Sequence, residues 1–180
     1  MLHHAARSLT ALPIAAVLTL WLAAFPAAAE PAEAPFGDSV NESIFNYSRM
    51  SPRIAGAGEL REGAIAHLKA LGFVAVLDLR TAQEGTAKER AAVEKAGLVY
   101  HNISVATRAP TWAQVAEFAR IVNDADNLPI LVHCASANRV GAMWALYRSS
   151  QGVNPEFAIQ EGRTAGLTSR ENAVRARLAE

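Results

Sequence analysis

From Phe73 to Tyr147 the chain alternates short, β-rich apolar runs with segments of helical period, and this alternation limits the fold more than any other feature. Phe73-Val74-Ala75-Val76-Leu77-Asp78-Leu79 is almost continuously apolar, as a strand covered on both faces must be. Leu98 to Val105 reads as another strand, and Pro129-Ile130-Leu131-Val132 as a short buried one. Between them, Thr86 to Ala96 predicts a helix stopped by Gly97. Thr111 opens another that runs to about Asp124, with Gln114 three residues on as the partner in a capping box. Upstream, Asn46 to Ala57 predicts one or two short strands around Pro52. Glu59 to Leu71 places Leu60, Ala64, Ile65, Leu68 and Leu71 at helical spacing, and Gly72 ends the run. Downstream, Val140 to Tyr147 predicts a helix, Asn154 and Pro155 start the next as N-cap and first-turn residues, and Thr168 with Glu171 caps the last. The order β-α-β-α-β-α-β-loop-α-α-α predicts an α/β fold: a mainly parallel central sheet flanked by helices in three αβα layers.

A length of 180 residues is that of a single domain. The first 29 residues stand apart from it. Arg7 lies in a basic segment with His3 and His4, Ala11 to Ala24 is mostly apolar and uncharged, and Ala27-Ala28-Ala29 offers a small-residue cleavage site before Glu30. This is the pattern of a secretory signal peptide over residues 1–29. The apolar run is short for a membrane span, which needs about 20 residues. Residues 30–45, rich in Pro and Ala, read as a linker, and residues 46–180 as the domain. The leader carries away one arginine and no acidic residue, leaving a net charge of about −1. That balance gives no support to nucleic-acid binding or to stable membrane insertion after cleavage. The expected location is the periplasm or outside the cell.

Chemistry concentrates at His133-Cys134-Ala135-Ser136-Ala137-Asn138-Arg139, between the Pro129 strand and the Val140 helix. Ligands in sheets of this kind bind beyond the carboxyl ends of strands, where Cys134 lies. Cys134 is the only cysteine, so an exported form has an unpaired thiol in an oxidising compartment. The helix N-terminus and Arg139 would both favour the thiolate. Loop amides and the Arg139 fork would bind an oxyanion. Ala135, Ser136 and Ala137 allow a tight curl, although any positive φ at Ala137 would cost energy that glycine avoids. Asn138 lies inside the cradle as a donor or a turn former, and His133 can orient neighbouring backbone.

Several further stretches accompany this loop: Leu77-Asp78-Leu79-Arg80, Tyr100-His101-Asn102-Ile103, Gly141-Ala142-Met143-Trp144, Glu161-Gly162-Arg163 and Ala165-Gly166-Leu167. In this combination the chain resembles the bacterial beta-lactamase-hydrolase-like phosphatase domains, a branch of the cysteine-phosphatase superfamily with the dual-specificity and tyrosine phosphatases. The resemblance runs from about Tyr47 to Leu167. It implies a cysteine-phosphatase-like fold, Cys134 as nucleophile forming a phosphocysteine, Arg139 as phosphate binder, and a phosphorylated small molecule or protein as substrate. Three departures qualify it. Four residues separate Cys134 from Arg139 where tyrosine and dual-specificity phosphatases have five, a shorter loop that resembles rhodanese sulfurtransferases. Val140 follows the arginine where those phosphatases often have Ser or Thr. The loop from Ser104 to Pro110, where they keep an aspartate as general acid, holds no Asp or Glu.

General acid–base help is typically worth about 10²–10⁴-fold, so the missing acid matters. Asp78 and Glu84 are the candidate replacements by topology, Asp78 being taken as the catalytic acid; each also reads as a structural residue. The expected substrate-binding set is His133, Ala135, Ser136, Ala137, Asn138 and Arg80, the last also able to pair with Glu84. Arg108 reads as an exposed loop residue, Glu161 and Arg163 as a structural network, and Trp112, Trp144 and Tyr147 as packing. His67 and His101 fall at no metal-ligand spacing, so neither a metal nor a cofactor is expected. Three activities fit: a cysteine-dependent phosphatase, a sulfurtransferase carrying a persulfide on Cys134, and a non-catalytic oxyanion-binding module.

Overall fold

The computed structural model describes residues 32–180, and the expected signal peptide lies outside them. Five strands form one sheet: β1 (Ser48–Ser51), β2 (Ile54–Ala57), β3 (Ala75–Asp78), β4 (Val99–Asn102) and β5 (Ile130–His133), in the order β1-β2-β5-β3-β4. β1 runs antiparallel to β2, and every other pairing is parallel. The register sets Ala57, His133, Asp78 and Asn102 abreast at the carboxyl edge. Six helices complete the fold: α1 (Ala64–Ala70), α2 (Thr86–Lys95), α3 (Trp112–Val122), α4 (Asn138–Ser150), α5 (Pro155–Thr164) and α6 (Glu171–Leu178). The mainly parallel, three-layer α/β architecture predicted from the alternation is the one observed.

Successive strand residues point to opposite faces, and this sorts the core into two layers. Ala75, Leu77, Leu79, Ile130 and Val132 pack with residues of α3 to α6, including Phe118, Met143, Leu146, Ile159 and Val174. Ala55, Ala57, Val76 and Leu131 pack instead with Ala64 and Leu68 of α1 and Val93 of α2. The same alternation sends Cys134 into the first layer. His133 and Asp78 turn to the other side, toward Glu89 of α2. Helix α4 is buried over every residue from Arg139 to Tyr147, which makes it the central helix of the first layer.

Three local features differ from the sequence expectation. The stretch read as a linker is anchored to the domain near its two ends: Ala34 and Ile44 are buried, the Ala34 amide donates to Pro52 O at 2.8 Å, and the Tyr47 hydroxyl donates to Pro35 O at 2.7 Å. Helix α1 begins at Ala64 rather than Glu59, because Gly63 adopts a left-handed conformation and Leu60 bridges to Ile44. Thr168 does not cap α6. Its N-cap is Arg170, which makes no side-chain cap bond, and Glu171 instead pairs with Arg163 and Arg175. By contrast, Thr111 with Gln114 forms the predicted capping box, and Asn154 accepts from Glu156 N as an N-cap. No helix among the described residues is long and apolar enough to cross a membrane.

Helices α4 and α5 meet backbone to backbone at Gly141 and Gly162. A methyl group on Gly141 would collide with the Leu167 amide and the Gly162 carbonyl, and one on Gly162 would lie 2.7 Å from Gly141 O and 2.8 Å from Ala145 Cβ. Neither neighbour is a flexible side chain that can swing away. Gly141→Ala is therefore expected to destabilise the protein by about 2 kcal/mol or more through overpacking, read as a lower urea midpoint; a loss under about 0.5 kcal/mol, the range of a neutral surface change, would contradict this packing.

Candidate active site

β5 ends at His133, and the chain turns through residues 134–137 into α4. Cys134 is 1% exposed, and its amide donates to Ala57 O at 3.3 Å. Ser136 bridges to Gly58, which fixes the loop against the chain leaving β2. The N-cap of α4 is Ala137 at φ +67°, a left-handed conformation that costs an alanine about 1–2 kcal/mol. Its methyl group sits against Gly166, where a Cβ would come within 2.6 Å of it. Ala137 makes no side-chain cap, so the first-turn amides of α4 stay free to bind an anion beside the sulfur.

Arg139, on the first turn of α4, is 8% exposed. Its Nη1 and Nη2 donate to Glu84 Oε2 at 2.8 Å and Oε1 at 2.5 Å, a two-pronged fork. Longer bonds run from Nη1 to Leu79 O and Val105 O. A guanidinium has five N–H donors. Glu84 and the two carbonyls occupy the Nη1–Nη2 edge, and the other edge, carrying Nε, is left for the loop. Glu84, against the cost of burial, holds the guanidinium charge more firmly than usual, with a smaller contribution in the same direction from Cys134.

Glu84 is itself fully engaged. Its Oε2 also accepts from the Thr81 amide and hydroxyl at 2.9 Å each. The Arg139 fork, followed by Thr81, pulls its pKa from 4.5 down to about 2. Glu84 is thus an ionised orienter of Arg139, with no proton to donate near neutral pH.

Asp78, expected as the acid, lies elsewhere. It is completely buried, accepts from the Arg80 amide at 2.8 Å and from the Arg80 guanidinium at 2.8–3.2 Å, and takes the Tyr100 hydroxyl at 3.0 Å. Burial raises its pKa, but Arg80 and His133 outweigh that and leave it lowered. A saturated, ionised carboxylate on the α2 side of the sheet has no proton to give a leaving group above Cys134, so Asp78 does not fill the acid role expected of it. Arg80 belongs to the same buried cluster. Rather than pairing with Glu84, it bridges Asp78 and Glu89 at 2.8 and 2.7 Å. His133 also turns away from substrate: its Nε2 lies 2.6 Å from Glu89 Oε1, off the line of a good hydrogen bond, and 3.7 Å from Asp78. Asp78, Glu89 and His133 are grouped closely enough to hold a cation. The Arg80 guanidinium already occupies that role. This quartet pins the carboxyl ends of β3 and β5 to α2, directly behind the sulfur.

Of the remaining expected binders, Ala135 and Ser136 are exposed at the rim, and Ala137 is buried under it. Asn138 shapes the rim: its Nδ2 donates to Ser169 Oγ at 2.8 Å and its Oδ1 accepts from Thr168 N at 2.9 Å. Val140 is buried, with Cγ1 packed on Gly56 of β2, so an apolar contact fills the position after the arginine. Glu161 pairs with Arg148 and Arg163 with Glu171, as expected of a structural network. Trp144 and Tyr147 pack in the core, whereas Trp112 is 39% exposed. A cavity of about 770 Å³ between α1 and α2 is lined in part by Arg80, Glu84 and Glu89. Sequence reading missed Glu89, whose signal was an acidic residue one turn into the helix after Arg80. It also missed the orienting role of Glu84, signalled by the Thr81-x-x-Glu84 capping box.

A family model described as a DSP-PTPase phosphatase fused to NAD+ kinase matches residues 39–177, and the chain belongs to that family, within the cysteine-phosphatase class of enzymes. Among solved structures, P. aeruginosa TpbA is similar at 25% identity, with 83% of this chain and 90% of that one aligned and a TM-score of 0.63. A DUF442 protein of Shewanella putrefaciens CN-32 is similar at 23% identity over 77% of this chain and 93% of its own, with a TM-score of 0.63. The core catalytic domain of the S. cerevisiae PP-IP phosphatase SIW14 shares the fold at 17% identity over 73% and 85%, with a TM-score of 0.59. No curated protein matches the chain.

The lowered pKa of Glu84 gives a pH signature. A carboxyl with a depressed native pKa adds stability that is complete above its unfolded value and disappears as pH falls through the native one. The wild-type protein is expected to lose the contribution of the Glu84–Arg139 pair between pH 4.5 and about 2. Glu84→Gln should flatten the thermal-midpoint profile in that window, whereas an unchanged slope would show that Glu84 does not hold Arg139 in solution.

Proposed function

We propose that the protein is an exported, cysteine-dependent phosphatase working through a phosphocysteine at Cys134. The observation that carries this reading is the Glu84 fork, which fixes one edge of Arg139 in the first turn of α4, directly after the Cys134 loop, and leaves the Nε edge unoccupied. The Cys134 thiolate attacks phosphorus, an S–P bond forms, and the P–O bond to the leaving group breaks with its electron pair on the departing oxygen. The free edge of Arg139 and the first-turn amides stabilise charge on the non-bridging oxygens. Water then attacks phosphorus, the S–P bond breaks, and phosphate and the thiolate are released.

Two features set the pace of these steps. Glu84 and Asp78 are both ionised and engaged, and loop 104–110 has no carboxyl, so the leaving oxygen departs as an anion or takes its proton from water. Good leaving groups are therefore favoured. Val140 supplies no hydroxyl to assist hydrolysis of the phosphocysteine, so the second step is the slower one for an activated substrate. A phosphorylated substrate is supported by TpbA, a related structure of which holds phosphotyrosine, and by SIW14, described as a PP-IP phosphatase. Export is supported by the leader pattern of residues 1–29.

Turnover of 4-nitrophenyl phosphate by the protein is expected to show a burst equal to the Cys134 concentration, followed by a slower steady rate. Cys134→Ser should reduce it to background, and Arg139→Lys should lower it by roughly 10²–10³ through loss of the paired oxyanion donors. Thiosulfate-dependent gain of one sulfur on Cys134 without phosphate turnover would favour the sulfurtransferase instead. Phosphate binding with neither activity would leave only an oxyanion-binding module.

A further inference from the structure

Two more arginines lie on segments that border the cradle: Val105 of one accepts from Arg139, and Thr168 and Ser169 of the other bond to Asn138. Arg108 lies on the acid-free loop between β4 and α3, and Arg170 on the turn between α5 and α6. Each guanidinium donates to a carbonyl of the other segment: Arg108 Nη2 to Ser169 O, and Arg170 Nη1 to Thr107 O, both at 2.5 Å. The turn carrying Arg170 is tied to the cradle as well, through Ser169 Oγ and Thr168 N, both bonded to Asn138, the residue before Arg139. The two arginines are therefore held in place, yet among the described residues each uses one of its five donors. Neither has a carboxylate partner among the described residues.

The electrostatics agree with this geometry. Burial, then the charges of Arg139 and Arg108, lower the pKa of Arg170, while Cys134 and Glu84 oppose that fall. Arg108, Arg139 and Arg170 thus share one field, and the Glu84 carboxylate that enters it is spent on Arg139. Like charges brought together without counter-ions are unfavourable, and an anion of more than one charged group relieves them. A single phosphate over Cys134 meets the free edge of Arg139. The donors of Arg108 and Arg170 then remain unused.

We propose that Arg108 and Arg170 form a second anion subsite, so that the preferred substrate carries a second phosphate beside the one attacked by Cys134. The inference rests on the phosphatase reading for the identity of the first phosphate, but the subsite itself is a matter of binding. It also answers the missing acid: a leaving group that bears its own phosphate departs as an anion, and two guanidinium groups meet that charge where other enzymes donate a proton. Arg108 and Arg170 would act on specificity, by holding the departing part of the substrate.

Calorimetry with Cys134→Ser protein tests this, using orthophosphate and pyrophosphate as the probes. Pyrophosphate is expected to bind at least tenfold more tightly. Arg108→Gln and Arg170→Gln, each of which keeps a donor while removing the charge, should each reduce that preference threefold or more. Arg170→Lys, which keeps the charge and alters the clamp, should retain it. A preference below tenfold, or one that survives both glutamine variants, overturns the subsite. So does equal loss in Arg170→Lys and Arg170→Gln, which would make Arg170 a loop clamp only. The arms separate from the phosphatase reading: orthophosphate binding with normal aryl phosphate turnover but no pyrophosphate preference sinks the subsite alone. An arginine-dependent preference in a protein with no turnover upholds the subsite and sinks the phosphatase reading.

Discussion

A guanidinium buried in the first turn of α4 is the constraint on which the site depends. Removing a charge from water is costly unless it is paired and hydrogen-bonded, and Arg139 meets that demand with the Glu84 carboxylate and two backbone carbonyls. The carbonyls come from the segments leaving β3 and β4. One side chain therefore ties the start of α4 to two neighbouring strand ends and leaves its remaining edge unoccupied among the described residues. Glu84 can do this because Thr81 anchors its carboxylate from behind, in a capping box that would otherwise be a routine turn stop. The same commitment removes Glu84 from proton transfer. Orientation of the arginine and supply of an acid are competing uses of one carboxylate, and in this molecule orientation prevails.

The sheet separates two polar systems that are adjacent in sequence. His133 and Cys134 are neighbours, yet strand alternation directs them to opposite faces. His133 enters a quartet with Asp78, Arg80 and Glu89 that braces β3 and β5 against α2. Cys134 enters the layer beneath α4. The quartet makes the loop rigid from below, while the Asn138 contacts to Thr168 and Ser169 fix its rim from above. A cradle held on both sides is already shaped for an oxyanion before the substrate arrives, which is how electrostatic stabilisation acts without reorganisation.

Much of this was legible in the chain. The alternation of apolar runs and helical segments specified a parallel sheet because each strand must be covered on both faces. The loop after β5 was recognisable because a thiol and an arginine at a strand-to-helix turn have few other uses. Helix starts marked by Thr111 and Asn154 followed directly from capping chemistry. What escaped was pairing among charged side chains. The local signals, an acid one turn into α2 and the Thr81-x-x-Glu84 box, mark Glu89 and Glu84 but not their partners, Arg80 and, 55 residues away, Arg139. Asp78 looked like an acid because it ends a strand at the right edge; its side-chain direction, set by the pleat, decides otherwise. The packed segment around Ala34 was hidden for a related reason, since Pro and Ala suit both a linker and a close-packed edge.

The most direct test of the arrangement is a crystal structure of Cys134→Ser protein with bound phosphate. The phosphate should lie over residue 134, held by the first-turn amides of α4 and by the Nε edge of Arg139, with the Glu84 fork intact on the opposite edge. A phosphate that displaces Glu84 from Arg139, or that binds away from residue 134, would contradict the account.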